Sequence, residues 1–276
     1  PPFFVTCTAQ PLTKRKVTMA IDWTQKKCVV LDMDGTIYLG DIPIPGAVSG
    51  ILRNWDRLDF RFLSNNTSKS PQTYVAKLNR MGIPARLDQF ICPTGPLVDY
   101  LRENGYRTAY VVGNRDFQAD LARRMPELVQ QEEGAQCVIL AYDTEITYEK
   151  MARSCLLLQK KNVAFFATHP DFVCPSPEGP LPDVGSMLMM YESATGRRPD
   201  KIFGKPDPNI LAPLFKLYPK SALIMSGDRL MTDKKLAENA GIDFILVLSG
   251  EATQEDLNRE AVKPALVVPD LGCALP

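Results

Sequence analysis

The amino-acid sequence predicts an α/β fold built on largely parallel sheets, and three observations carry that expectation. Apolar, strand-like runs alternate with amphipathic helical stretches along most of the chain, the alternation expected of strands joined by crossover helices. The run Val29-Val30-Leu31 is continuously apolar and closes on a turn signal, as a central strand covered on both faces would. No long linker separates two domains in series, so a second domain would be an insertion reached by two crossing strands.

Strands are expected at 28–32, 60–64, 108–112, 136–141, 163–167, 222–226 and 244–248. Helical spacing is expected to produce helices at 72–81, 95–104, 116–124, 148–160, 184–195, 209–217 and 233–240. Pro71 and Pro208 stand near helix starts, where a missing N–H costs little. Gly82, Gly105, Gly196 and Gly241 follow helices, as helix-ending glycines do. Residues 1–18 differ in character, with three prolines and a Lys14-Arg15-Lys16 cluster, and are expected to form an N-terminal extension outside the fold.

The 276 residues suffice for one large domain or two ordinary ones. Thirty-two basic and thirty-two acidic residues balance to zero, which argues against a broad nucleic-acid or membrane-surface footprint but leaves room for a local anion site. No apolar run approaches the length of a membrane span. Seven scattered cysteines without Cys-x-x-Cys suggest small buried hydrophobes in a reducing cytoplasm rather than a disulfide or zinc framework. His169 is the only histidine, so any chemistry must work mostly with carboxylates and lysine.

The most informative segment is Val29-Val30-Leu31-Asp32-Met33-Asp34-Gly35-Thr36. In open α/β sheets ligands bind beyond the carboxyl ends of the strands, so this strand delivers two carboxylates to the functional edge. Adjacent carboxylates repel and make most sense with a shared proton or a cation between them; oxygen ligands of this kind suit Mg²⁺. The bland alternative is a strand with a polar Asp-Gly turn. Three further segments point the same way. Ser64-Asn65-Asn66 offers a hydroxyl and two amides suited to an oxyanion, or else a helix cap. Gly204-Lys205-Pro206 places an ammonium group in a stiff loop, a good phosphate partner, or else an ordinary solvated lysine. Ser226-Gly227-Asp228-Arg229, with Thr232-Asp233 close behind, brings another carboxylate off a strand end, or else a capped helix.

In this order, Asp32-x-Asp34-Gly-Thr, Ser64-Asn-Asn, Gly-Lys205-Pro and Gly-Asp228-Arg with Asp233 resemble the motifs of the haloacid dehalogenase (HAD) superfamily of phosphohydrolases. The long separation of Ser64 from Lys205 resembles subclass IIA, which inserts an α/β cap of the C2 type and includes 4-nitrophenyl phosphatase, phosphoglycolate phosphatase, pyridoxal phosphatase and NagD-type enzymes. Ala167-Thr168-His169-Pro170-Asp171 and the stretch from Gly179 to Ser186 look like the substrate-facing loop of that cap and its continuation. The resemblance runs from about Lys27 to the last residue.

The resemblance implies a Rossmann-like core at 19–105 and 200–276 and an inserted cap at 106–199. It implies a Mg²⁺-dependent phosphomonoester hydrolase working through an aspartyl-phosphate. Asp32 would be the nucleophile. Asp34 would protonate the leaving oxygen and then activate water. The metal would be held by Asp32, the Asp34 backbone carbonyl and Asp228. Ser64, Asn65, Asn66 and Lys205 would hold the phosphoryl oxygens, with Asp233 orienting Lys205 or metal-bound water. The cap loop at 168–177 would read the leaving group through Asp171, Cys174 or His169; His169 adjoins a proline at a strand end, where a structural role is the alternative. The substrate implied is a small phosphate ester: a sugar phosphate, a phosphoglycolate-like compound or 4-nitrophenyl phosphate. A cap-mediated homodimer is a further implication, with no nucleic-acid or membrane partner. Asp34 argues against dehalogenation, which needs no leaving-group proton. The remaining alternatives are a phosphate-binding protein without turnover and a phosphotransferase of the same superfamily.

Overall fold

The computed structural model describes residues 21–176 and 178–276; the extension expected at 1–18 lies outside them. Two parallel sheets form the frame. The first has six strands in the order Leu266–Val268, Asp243–Val247, Leu223–Gly227, Cys28–Leu31, Asp59–Leu63, Phe90–Ile91. The second has five, in the order Lys201–Ile202, Ala164–Ala167, Cys137–Leu140, Thr108–Val112, Val129–Gln130. Each expected strand is present to within a residue at either end. The additional ones are edge strands and ribbons of two or three residues, too short to imprint a period.

Continuous apolar strands are explained by what covers them. Val29 and Leu31 enter one hydrophobic cluster, Cys28 and Val30 the other, so the strand is buried on both faces. Ile224 and Ile245 share the first cluster, and Met225 and Phe244 the second. The same alternation splits Cys137 and Ile139 from Val138 and Leu140 in the other sheet. Helices are closed by local chemistry: the side chains of Ser70, Asn114 and Thr147 accept hydrogen bonds from the first-turn amides of the helices that follow. Gly196 and Gly241 end theirs in the left-handed conformation.

Three expectations need correction. The helix at 95–104 (Thr94–Glu103 in the structure) does not belong to the core domain: Leu97, Val98 and Leu101 share a cluster with Ala109, Ile139 and Phe203 of the second sheet. Lys201–Ile202 is likewise an edge strand of that sheet. The chain therefore crosses between the units near Cys92-Pro93 and Phe203-Gly204, not at 106 and 199. The helix expected at 209–217 is broken into a 3-10 turn, Pro208–Leu211, and a short helix, Ala212–Phe215, because Pro213 has no N–H to continue the earlier turn. The helix expected from 233 starts at Lys235, preceded by a π-helical turn, Leu230–Lys234. Helices at Pro45–Arg53 and Gln254–Arg259 were not anticipated. Among the described residues no helix is long and apolar enough to cross a membrane, and the described cysteines are free.

Ile139 is fully buried at the centre of the second sheet, so Ile139→Ala should cost about 2–5 kcal/mol. Thr147→Ala removes only a helix cap and should cost about 1 kcal/mol. Urea unfolding of both variants checks the ranking.

Candidate active site

Parallel register brings the motifs to one edge. Leu31 lies opposite Phe62 on one side and Ser226 on the other. The residues just beyond these strands (Asp32 and Asp34, Ser64, Asp228) therefore emerge together. The Asp32 amide still donates to the Ser226 carbonyl at 2.9 Å, which holds the first residue of the loop in strand geometry.

Glycines make room for the carboxylates. Gly35 has a φ of +84°, and a Cβ there would overlap the Asp228 carboxyl, so this position needs glycine for conformation and for close approach alike. A Cβ on Gly227 would strike Asp233, and one on Gly250 would strike Asp228.

Lys205 arrives just after the chain re-enters the core. Its amide donates to Asn65 Oδ1 at 2.8 Å and its carbonyl accepts from Asn65 Nδ2 at 3.1 Å. Asn65 thus clamps the lysine's backbone from a distant loop. The ammonium donates to Asp32 Oδ1 at 2.5 Å and to Asp233 Oδ1 at 2.6 Å. Asp233 also accepts from the Arg229 amide at 3.1 Å, a contact made possible by the π-helical turn.

Asp32, Asp228 and Asp233 each offer an oxygen within 4.8 Å of the others. Asp228 Oδ2 accepts from the Glu251 amide at 2.7 Å, whereas its Oδ1 is buried without a hydrogen-bond partner. An orphaned carboxylate oxygen facing further carboxylates is what a bound cation would satisfy, and an all-oxygen donor set suits a hard divalent ion such as Mg²⁺. The residues present fit such an ion.

The electrostatics follow from burial. Burial pushes the Asp32 carboxyl well up, Lys205 pulls it down, and the nearby Asp233 and Asp228 carboxylates raise it again. Burial and Asp233 together push Asp228 up to about 6. Burial alone would depress Lys205, but Asp233 and Asp32 outweigh it and hold the ammonium above its ordinary value. Asp34 is raised by burial, with Lys77 and the Gly40 amide opposing.

A single cavity between the two units is lined by Asp32, Asp34, Ser64, Asn65, Asn66, Asp171, Cys174 and Lys205, so these sequence candidates converge. Asp228 and Asp233 are clustered with Asp32. Ser64 Oγ accepts from the Asn66 amide at 3.2 Å, and Asn66 Oδ1 accepts from the Ser68 amide at 2.9 Å, forming a compact polar turn. Asn65 does not present a free amide to a ligand, because its side chain is committed to Lys205 and to Asp171, at 3.2 Å. His169 does not reach the cavity wall. It is fully buried, with Nδ1 beside Thr168 Oγ1 and Nε2 beside Asp183 Oδ1, both at 2.9 Å. Arg229, Tyr38, Tyr74 and Asp183 line the cavity unanticipated. Arg229 was visible as the residue after Asp228 in the fourth motif, and Asp183 lies within the stretch from Gly179 to Ser186 without having been singled out in it.

A family model described as "Haloacid dehalogenase-like hydrolase" matches residues 29–124, and a second, HAD-hydrolase-like model matches residues 202–274. The chain is 31% identical to the acid sugar phosphatase of Staphylococcus haemolyticus over 254 residues, which span 90% of this chain and 95% of the relative. It is 30% identical to the acid sugar phosphatase of Staphylococcus epidermidis over 89% of this chain and 95% of the relative. Among solved structures, the 4-nitrophenylphosphatase of Thermotoga maritima superposes with a TM-score of 0.84 at 38% identity, covering 90% of this chain and 95% of that one.

A carboxyl whose folded pKa lies near 6 against 3.8 in the open chain binds more protons folded than unfolded. The metal-free protein should therefore lose stability as pH rises through that window. Added Mg²⁺ should raise Tm at neutral pH by mass action. In Asp228→Asn the pH-dependent loss should shrink and the Mg²⁺-induced rise should vanish; thermal scans with and without EDTA check both.

Proposed function

Since this chain belongs to the haloacid dehalogenase-like hydrolases, we infer that it is a Mg²⁺-dependent phosphatase of small phosphate monoesters, with Asp32 as nucleophile. The observation that carries this reading is Asp32 itself, buried on the cavity wall with the Lys205 ammonium at 2.5 Å and the orphaned Asp228 oxygen in the same cluster. The names of the curated relatives favour sugar phosphates as the substrate class.

The chain's residues divide the work. An Asp32 carboxylate oxygen attacks phosphorus, the P–O bond to the leaving group breaks, and Asp34 donates its proton to the departing oxygen. Burial favours the protonated form of Asp34 that this step requires. The resulting Asp34 carboxylate then takes a proton from water, whose oxygen attacks the aspartyl-phosphate, releasing inorganic phosphate and restoring Asp32. Lys205 holds a phosphoryl oxygen as negative charge redistributes, while Ser64 and the Asn66 turn supply further donors. Asp233 keeps the ammonium pointed at the nucleophile. A bound Mg²⁺, held by Asp32, the Asp34 backbone carbonyl and Asp228, would offset the repulsion between an anionic nucleophile and an anionic substrate. The second unit supplies part of the cavity wall through Asp171, Val173, Cys174, Pro175 and Asp183, where it would limit the access of water.

Asp32→Asn should abolish phosphate release from every ester while the Tm stays measurable; full activity in this variant would refute the nucleophile assignment. Lys205→Ala should lower kcat by about 10²–10³. Asp34→Asn should lower hydrolysis of alkyl phosphates by about 10²–10⁴. It should affect 4-nitrophenyl phosphate less, because 4-nitrophenolate departs without a proton. Steady-state kinetics with the two ester types separates the roles.

A further inference from the structure

The buried His169–Asp183 pair takes no part in the chemistry above, yet one of its members forms part of the cavity wall. Asp183 is 3% exposed and lines the cavity. Its Oδ1 is occupied twice, by His169 Nε2 at 2.9 Å and by the Val184 amide at 2.7 Å. Its Oδ2 has no hydrogen-bond partner among the described residues, and it is not one of the side-chain atoms sealed from solvent. The pair is rigidly held. With the Thr168 hydroxyl donating to Nδ1, the ring carries its proton on Nε2 and donates it to Asp183 Oδ1. Asp183 also caps the helix Val184–Thr195. A carboxylate fixed through one oxygen, with the other left open in a cavity, is an acceptor waiting for a donor.

The charges around it say which donor. Four carboxylates line the cavity (Asp32, Asp34, Asp171 and Asp183) against two cations, Lys205 and Arg229. Lys205 is engaged by Asp32 and Asp233, and Arg229 by Asp171 at 3.5 Å and Glu251 at 2.9 Å. Among the described residues no lining cation is left for a second anionic group on the substrate. We propose that Asp183, oriented by His169, is a specificity-determining residue that accepts a hydrogen bond from a hydroxyl of a neutral polyol leaving group, so that the site takes sugar or polyol phosphates and rejects esters carrying a carboxylate. This proposal rests on the phosphatase reading, and it replaces the phosphoglycolate-like substrate that the sequence left open. Recognition here works in both directions. The hydroxyl satisfies Asp183, while a carboxylate in the same place would meet like charge in a low-dielectric site.

The test measures kcat/KM for three esters on the full chain with Mg²⁺: a hexose or glycerol phosphate, phosphoglycolate, and 4-nitrophenyl phosphate, which offers no hydroxyl donor. The wild type should favour the polyol ester over phosphoglycolate by tenfold or more. In Asp183→Asn the polyol-to-aryl ratio should fall about tenfold and the discrimination against phosphoglycolate should weaken, because the amide carries no charge and can donate. Unchanged ratios, or a wild type that prefers phosphoglycolate, would overturn the proposal. His169→Gln, which loosens the carboxylate without removing it, should move the ratio the same way by a smaller factor and serves where Asp183→Asn does not fold. Absence of hydrolysis of all three esters by the wild type would instead refute the phosphatase reading and this proposal with it.

Discussion

The Lys205 ammonium lodged between the Asp32 and Asp233 carboxylates is the contact on which the rest of the site depends. Three carboxylates are buried together at one sheet edge. Their mutual repulsion and lost hydration must be met by positive charge, or the groups stay protonated. Lys205 meets part of this need and leaves the orphaned Asp228 oxygen to mark the remainder. That explains why the lysine is so firmly anchored. Asn65 binds its backbone on both sides, and Gly204 is packed so closely on Asn65 and the Thr168 carbonyl that no side chain fits.

The same residues tie the two units together. The return strand Lys201–Ile202 belongs to the second sheet, and Lys205 follows it almost at once. Asp171, from the second unit, reaches both Asn65 and Arg229 of the core. Asn114, which caps a helix of the second unit, donates to the Ser68 carbonyl in the loop after the second motif. Docking of the second unit and alignment of the cavity-lining groups therefore draw on shared contacts.

The two units supply different parts of the cavity wall. The core contributes Asp32, Asp34, Ser64, Lys205 and Asp228, most of them just beyond the ends of parallel strands. The second unit contributes Asp171, Cys174 and Asp183, which lie in or beside a ribbon, Val173–Cys174 paired with Leu181–Pro182, whose strands are only two residues long. On the proposed reading the phosphoryl group, which is the same in any ester, would meet rigid strand ends, and the leaving group, which differs, would meet a loop that can vary.

What the sequence determined alone is what depends on neighbours along the chain. Buried strands read as apolar runs, helices as 3.6-residue periods with prolines near their starts and glycines at their ends, and each candidate motif as a short string at a strand end or in a stiff loop. Asp32, Asp34, Ser64, Asn66 and Lys205 stand out that way and line one cavity, and Asp228 stands out that way and clusters with Asp32. What only the tertiary structure decided depends on residues far apart in the chain. The helix Thr94–Glu103 has an apolar face that would serve either domain, and only packing assigned it to the second. Asn65 looked like a phosphate ligand because its partner Lys205 lies 140 residues away. For His169 the sequence left a cavity role and a structural one open, because nothing local shows that Asp183, 14 residues on, holds its ring in the interior. Local pattern sets the period and the caps of an element, whereas the direction a polar side chain faces is settled by whichever distant donor or acceptor the closed fold brings within about 3 Å.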